Sequence, residues 1–474
     1  MLKSAKIFTL IMAGLLLFIM STSANPARPG AATRLVAEKH WRLRLRENGK
    51  FQTPLRLTTR NIPRSILAKN EATPPPTASL QDDAAPQPPP EAPWVKGIYL
   101  TSWMTGNHQF IEKIIGFTGR TEINSVVIDV KDDTGLLSYP STVALAREIG
   151  SGIRKYDPAK VLALLKQHRI YTIARIVVFK DPLLAKKRSD LAVLSSQGGL
   201  WRDKLGLCWV DPHNQKVWEY NVGIAKEAAR LGFDEIQFDY VRFTSDGPIQ
   251  YCRYPGADER PKADVIRDFL KFAYQELHPL GVKVSADLFG LTCSSRDDLG
   301  IGQILEKVAP HVDIICPMVY PSHYPKGVYN IANPDAEPYK TIFQSLSFAK
   351  KRLDALTLDH PLVIRPWLQD FSLRQVYRRE QLLAQIKAVR DAGFREFIFW
   401  NPGNKYDAGK YRSKEEALRE EAALPSVTPL PLPTAPATPA PTPAQTAAPS
   451  PVPPDLPPTG TPANPATVEG PDGN

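Results

Sequence analysis

Between residues 93 and 422 the hydrophobic positions alternate between two spacings. Runs that are continuous in apolar residues, or alternate with a period of two, predict strands at Lys96–Trp103, Ser125–Asp133, Tyr171–Lys180, Phe233–Phe243, Lys283–Gly290, Val312–Pro321, Leu362–Phe371 and Glu396–Asn404. Stretches with apolar residues every three to four positions predict helices between most of them, at Pro158–His168, Lys216–Leu231, Ala263–His278, Ile301–Val308, Tyr339–Leu353 and Arg379–Ala392. Eight strands alternating with helices predict an α/β fold, a (β/α)8 TIM barrel with disordered proline-rich flanks. A doubly wound open sheet is the competing architecture, but no glycine-rich phosphate loop follows the first strand.

The fourth predicted strand is inverted in polarity. Across Gly232–Phe243 a period of two places Glu235, Gln237 and Asp239 on one face and Ile236, Phe238 and Tyr240 on the other. A strand covered on both faces should be nearly continuous in apolar residues, so these polar groups carry a desolvation cost that packing does not justify. Chemistry in a cavity explains them.

Barrel active sites lie at the C-terminal ends of the strands. Polar residues recur there: Asp129, Lys131, Asp132 and Asp133 on strand two, Arg175 on three, Asp239 on four, Asp287 on five, Tyr320 with His323 on six, Arg365, Trp367, Gln369 and Asp370 on seven, and Trp400, Asn401 and Asn404 on eight. Each has a structural explanation by itself: Asp129 pairing with Arg175, Asp370 capping a helix, a tryptophan filling the barrel. Their convergence on one mouth points to a site.

Two carboxyl groups on neighbouring strands suit glycoside hydrolysis, which needs one ionised carboxylate and one carboxylic acid whose proton is retained by its surroundings. Asp239 and Asp287 are the catalytic candidates. The substrate-binding candidates are Asp129, Arg175, Glu235, Tyr240, Arg242, Tyr320, His323, Trp367 and Trp400; Trp103 also lies near a strand end, where a flat ring packs against a sugar. Glu235 lies about 13 Å of strand below Asp239, so an orienting or charge-balancing place deep in the barrel fits it better than partnership in catalysis.

Net charge of +10 favours anionic surroundings such as a cell-wall polymer or membrane surface. The basic residues form no helix-turn-helix, zinc-finger or RNA-recognition pattern, so nucleic acid is not an expected partner. The chain carries neither a His-Glu-x-x-His nor a Gly-x-Ser-x-Gly motif, and Asp129, Asp132 and Asp133 lack histidine partners, so no metal or cofactor is expected. Four cysteines are present; Cys252 and Cys293 fall in the loops after strands four and five and are expected to form a disulfide, while Cys316 is expected buried and free.

The flanks differ in composition. Residues 1–24, with Lys3 and Lys6 ahead of an apolar run from Ile7 to Met20, read as a secretory signal or an N-terminal anchor, which implies export to the envelope or beyond. Residues 25–92 combine the basic patch Trp41–Arg46, a candidate contact with an anionic envelope surface, with a proline-rich linker. Residues 423–474 are rich in Pro, Ala and Thr and are expected to be disordered.

The stretches Trp94–Thr101, Val126–Asp132, Phe233–Phe243, Ile315–Pro321 and Phe399–Asn401 together resemble a bacterial family known as "Putative glycosyl hydrolase domain", over about residues 94–405. The family is similar to barrel glycosidases such as the alpha-amylase superfamily and the poly-N-acetylglucosamine hydrolases. That resemblance implies a catalytic aspartate at the end of strand four, matched by Asp239. At strand five the chain departs from amylase-like enzymes, with Asp287 in place of a glutamate proton donor, which leaves Glu235 and Asp370 as alternative donors. The expected function is hydrolysis of a bacterial envelope or extracellular polysaccharide; the alternative is a non-catalytic carbohydrate-binding barrel that organises envelope polymers.

Overall fold

Apolar side chains on the helix-facing side of each strand and polar ones on the axial side decide how this chain closes. The computed structural model describes residues 94–422. The expectations for the secretory segment, the basic segment with its linker, and the C-terminal tail lie outside the described residues.

Eight parallel strands form the barrel: β1 (Lys96–Leu100), β2 (Ser125–Lys131), β3 (Tyr171–Val177), β4 (Glu235–Asp239), β5 (Lys283–Phe289), β6 (Ile314–Met318), β7 (Val363–Ile364 continued by Trp367–Gln369) and β8 (Phe397–Trp400). They pair in chain order, and β8 pairs with β1 from Lys96↔Phe397 to Ile98↔Phe399, which closes the sheet. Helices follow the strands in alternation: α1 (His108–Arg120), α2 (Pro158–Gln167), α3 (Gln215–Leu231), α4 (Lys262–Leu277), α5 (Leu305–Val308), α6 (Pro338–Leu353), α7 (Arg379–Asp391) and α8 (Lys414–Ala422). The predicted (β/α)8 barrel is therefore the observed fold. Among the described residues no helix is long and apolar enough to cross a membrane.

The main core lies between strands and helices. Ile236 and Phe238 of β4 face outward and are fully buried. Phe238 meets Phe269 of α4 edge to face at 5.4 Å between ring centroids, and Phe269 also meets Phe179 at 5.3 Å and Trp218 of α3 at 6.0 Å. Each such pair adds about 0.5–1.5 kcal/mol beyond its area burial. This cluster fixes the outer face of the strand that carries Asp239.

The barrel interior is layered. At its base Arg365 donates to both oxygens of Glu235 (2.8 and 2.6 Å) and to Glu396 (2.7 Å), while Ser285 and Tyr171 also donate to Glu235 (2.6 and 3.2 Å). Above it Val127, Ile173, Cys316 and Ile398 form an apolar layer joined by Gln237, whose amide lies 3.4 Å from Cys316 Sγ. We expect Arg365→Met to leave two buried carboxylates without their cation and to destabilise the protein by about 3–5 kcal/mol. Thermal unfolding followed by circular dichroism should show a midpoint lowered by roughly 10 °C; an unchanged midpoint would remove the triad from the account of stability.

Departures from the predicted elements have local causes. The seventh strand is split at Arg365–Pro366, because proline has no amide hydrogen to give to the ladder. α5 begins only at Leu305 rather than Ile301: Gly302 sits at φ +84°, with any Cβ 2.8 Å from Lys262 O, so the backbone there is not helical. An unpredicted antiparallel ribbon, Leu194–Ser195 with Cys252–Arg253, ties the loop after β3 to the loop after β4.

Candidate active site

Asp239 and Asp287 occupy one level of the barrel on adjacent strands. β4 and β5 pair in register through Phe238↔Ala286, and the two aspartates are the next residue of each. Neighbouring strands are about 4.8 Å apart, so inward side chains at one level face a common space. Their surroundings are opposite. Asp239 Oδ1 accepts from the Tyr240 amide (2.6 Å), and Oδ2 accepts from Arg175 Nε (3.0 Å) and Nη2. Each of its hydrogen-bond partners is an N–H donor, which satisfies both oxygens as acceptors. Asp287 is 1% exposed and accepts one side-chain hydrogen bond, from Trp367 Nε1 to Oδ1 at 2.7 Å. Burial and the negative charge of Asp239 push the Asp287 carboxyl well above the usual range, against the pull of Trp367.

The backbone after Asp239 is shaped for this task. Tyr240 has φ +50°, a left-handed conformation uncommon for a residue with a large side chain. That turn returns its amide to Asp239. Its ring lies edge-on to Trp209 at 5.9 Å, with Lys180 Nζ 4.8 Å from its centroid.

Arg175 binds two carboxyl groups, using Nη1 to reach Asp129 Oδ1 at 2.6 Å. Burial opposes its charge, but Asp239 and Asp129 outweigh that and hold the guanidinium protonated. Burial also pushes Asp129 above the ordinary carboxylate range, against the attraction of Arg175. Tyr99 donates to Asp129 Oδ2 at 2.5 Å and stacks on Trp400 at 4.0 Å; Arg175 sits 5.4 Å from the Trp400 ring. The chain thus runs Tyr99, Asp129, Arg175, Asp239. Tyr99 was not among the sequence candidates, although its place two residues after Gly97 puts it on the inward face of β1.

The other sequence candidates divide. Trp367, Trp400 and Tyr320 join the interior aromatic cluster beside the carboxyl groups. Trp367 is 1% exposed, so it is a wall of the site and not an open stacking surface. His323 packs on Tyr320 at 5.3 Å and on Phe371, and burial pushes its imidazole down to about 4, which keeps it neutral near pH 7. Trp103 is the opposite case: 64% exposed, at the end of β1, with Lys155 Nζ 5.6 Å from its ring and that lysine fixed by Asp132 at 2.6 Å.

Four expectations are corrected. Glu235 lies at the barrel base against Arg365 and is fully buried, in the charge-balancing place expected for it, which takes it out of the substrate-binding set. Arg242, also expected to bind substrate, donates to Phe243 O (2.9 Å) and Ser245 Oγ (3.0 Å) and is enclosed by Trp209, Tyr240 and Phe289, so it holds its own loop. Asp370, an alternative donor and expected helix cap, is buried on Lys410 and accepts from Tyr411 Oη at 2.7 Å. Cys252 and Cys293 are both free thiols. Cys252 lies 3.3 Å from Thr244 Oγ1 in the ribbon, and Cys293 is buried in the turn after β5.

Asp129, Asp132 and Asp133 turn to three different cations, Arg175, Lys155 and Lys180. Gln303, which no spacing pattern singled out, secures the ends of β4 and β5: it accepts from Phe289 N (2.9 Å) and its amide lies 3.3 Å from Val241 O and 3.4 Å from Asp287 O.

No curated protein matches the chain. Among solved structures, it is similar to a hypothetical protein from Ruminiclostridium thermocellum ATCC 27405, with 43% identity over 40% of this chain and 96% of that one, at a TM-score of 0.38. It is also similar to the PgaB (BpsB) glycoside hydrolase domain from Bordetella bronchiseptica, with 15% identity over 70% of this chain and all 100% of that one, at a TM-score of 0.52. The second likeness concerns the fold. The sequence profile described as "Putative glycosyl hydrolase domain" matches residues 97–406, the whole barrel from β1 past β8. The chain belongs to that glycosyl hydrolase family.

Proposed function

We propose that this protein is a glycoside hydrolase acting on a bacterial envelope or extracellular polysaccharide, with Asp239 as nucleophile and Asp287 as general acid. The observation that carries this reading is the contrast between two carboxyl groups on one level of adjacent strands, one surrounded by three N–H donors and the other buried with a single donor. Asp287 protonates the glycosidic oxygen as the bond to the anomeric carbon breaks, and Asp239 forms a bond to that carbon. Asp287, now ionised, takes a proton from the water that releases the sugar. Placement on neighbouring strands suits the close carboxyl spacing, about 5–5.5 Å, of retaining enzymes. Arg175 balances the charge of Asp239, and Tyr99 and Asp129 hold Arg175.

The envelope setting rests on residues 1–24 as a secretory segment and on the net charge of +10. Incubating the purified chain with a panel of cell-wall and exopolysaccharide glycans, and following released sugars by mass spectrometry, tests the reading. Product with retained anomeric configuration supports it; binding without product would favour a carbohydrate-binding barrel.

Trp103 offers an open ring at the same barrel end as the carboxyl groups, with a fixed cation beside it. We expect Trp103→Ala to lower kcat/KM on a long oligosaccharide by about tenfold, the scale of one lost stacking contact, and to leave a short aryl glycoside unaffected. Equal losses on both substrates would remove Trp103 from chain binding.

A further inference from the structure

Deepening the hydrolase reading, on which it rests, we propose that Trp367 is a positioning residue that dictates which oxygen of Asp287 carries the transferable proton. The indole Nε1–H occupies Oδ1 at 2.7 Å. An indole N–H donates and never accepts, and a carbonyl oxygen accepts it better than a hydroxyl oxygen does, so the bond favours the acid form with its C=O at Oδ1. The acidic hydrogen is therefore favoured on Oδ2. That oxygen accepts no hydrogen bond from the described residues, which leaves it free for a hydrogen of its own.

The indole is well placed to enforce this choice. Trp367 is 1% exposed, pairs in register with Met318 of β6 and Ile398 of β8, and meets Trp400 edge to face at 5.5 Å. Its burial and the Trp400 ring keep the indole from turning away. The same bond persists through the reaction. When Oδ2 gives its proton to the leaving oxygen, the carboxylate that remains still accepts from Nε1–H at Oδ1. The carboxyl group keeps its orientation, and the same Oδ2 then receives the proton of the incoming water. One fixed donor thus serves the acid step and the base step without a rotation of Asp287.

Trp367→Phe keeps an aromatic ring and deletes the donor. Because the lost hydrogen bond favours the ionised form more than the acid, the Asp287 titration should move up by about one pH unit in that variant. In the wild-type chain the Trp367 indole ¹H–¹⁵N cross-peak should titrate together with the Asp287 carboxyl ¹³C signal, and in Asp287→Asn that cross-peak should lose its pH dependence. These spectra read the contact whether or not a glycan is cleaved, so their failure and a failure of the hydrolase reading are separate results. With 2,4-dinitrophenyl glycosides, whose leaving group needs no acid, Trp367→Phe should lose at least tenfold less kcat/KM than with the matching methyl glycosides. An indole signal indifferent to Asp287, an unmoved titration in Trp367→Phe, or equal losses on the two substrate types would overturn the proposal. Should Trp367→Phe fail to fold, the wild-type and Asp287→Asn spectra alone decide it.

Discussion

Asp239→Asn is expected to reduce glycan hydrolysis by on the order of 10⁴-fold or more, since the substitution removes the group proposed to attack the anomeric carbon. The side chain keeps its shape, but its hydrogen bonding does not fit. Asp239 accepts from the Tyr240 amide on one oxygen and from Arg175 on the other. An asparagine has one accepting atom, so its NH₂ must face a donor on one side. Arg175 then retains only Asp129 as a full counter-charge, and breaking a buried pair in this way costs about 3–5 kcal/mol. Lower stability and lost activity are therefore expected together, with the native circular dichroism spectrum retained at 25 °C. A second consequence separates catalysis from unfolding: after burial, the charge of Asp239 is the largest cause of the elevated titration of Asp287, so Asp287 in Asp239→Asn should titrate at lower pH than in the wild type. Full activity of the variant on a true substrate would remove Asp239 from the mechanism.

The barrel was legible because its strands obey one rule along the chain. Ile98, Val126, Ala174, Ile236, Val284 and Ile315 are outward positions that meet helices, and each is fully buried. The site was legible where inward residues break that apolar pattern at the strand ends, as Asp129, Arg175, Asp239 and Asp287 do. A period of two reveals the face a residue lies on, but not the partner it finds. Glu235 and Asp239 share a face of β4 and have different fates, because the partner of Glu235, Arg365, is 130 residues away in the chain. The loops carry no period at all. Gln303 and Trp209 are placed by the ribbon and the turns after β4 and β5, and the cysteines, near in loop order, point to different neighbours. Tyr99 is readable as inward, but a tyrosine among apolar residues carries no sign of its own that separates it from ordinary core.

Asp287→Asn should show what a buried carboxyl group that holds its proton does to stability. The carboxyl titrates well above the ordinary value in the folded protein, and near 3.9 in the unfolded chain. As pH rises past about 4 the unfolded chain releases this proton while the folded protein retains it, so the stability tied to the group is present below that pH and is lost progressively up to the folded titration point. Asparagine has no proton to lose, and its amide oxygen still accepts from Trp367. The variant should therefore gain stability relative to the wild type as pH increases from 4 to 8, read as a growing difference in thermal midpoint, with the two proteins closest near pH 4. A difference that is flat across that range, or of opposite sign, would show that Asp287 does not hold its proton in the folded state. The same variant should lose about 10²–10⁴-fold in kcat on glycans whose leaving group needs protonation, and far less on 2,4-dinitrophenyl glycosides. With Asp287 as the proposed general acid, kcat of the wild type should fall as pH rises through the elevated Asp287 titration, and this alkaline limb should be missing from the residual activity of Asp287→Asn.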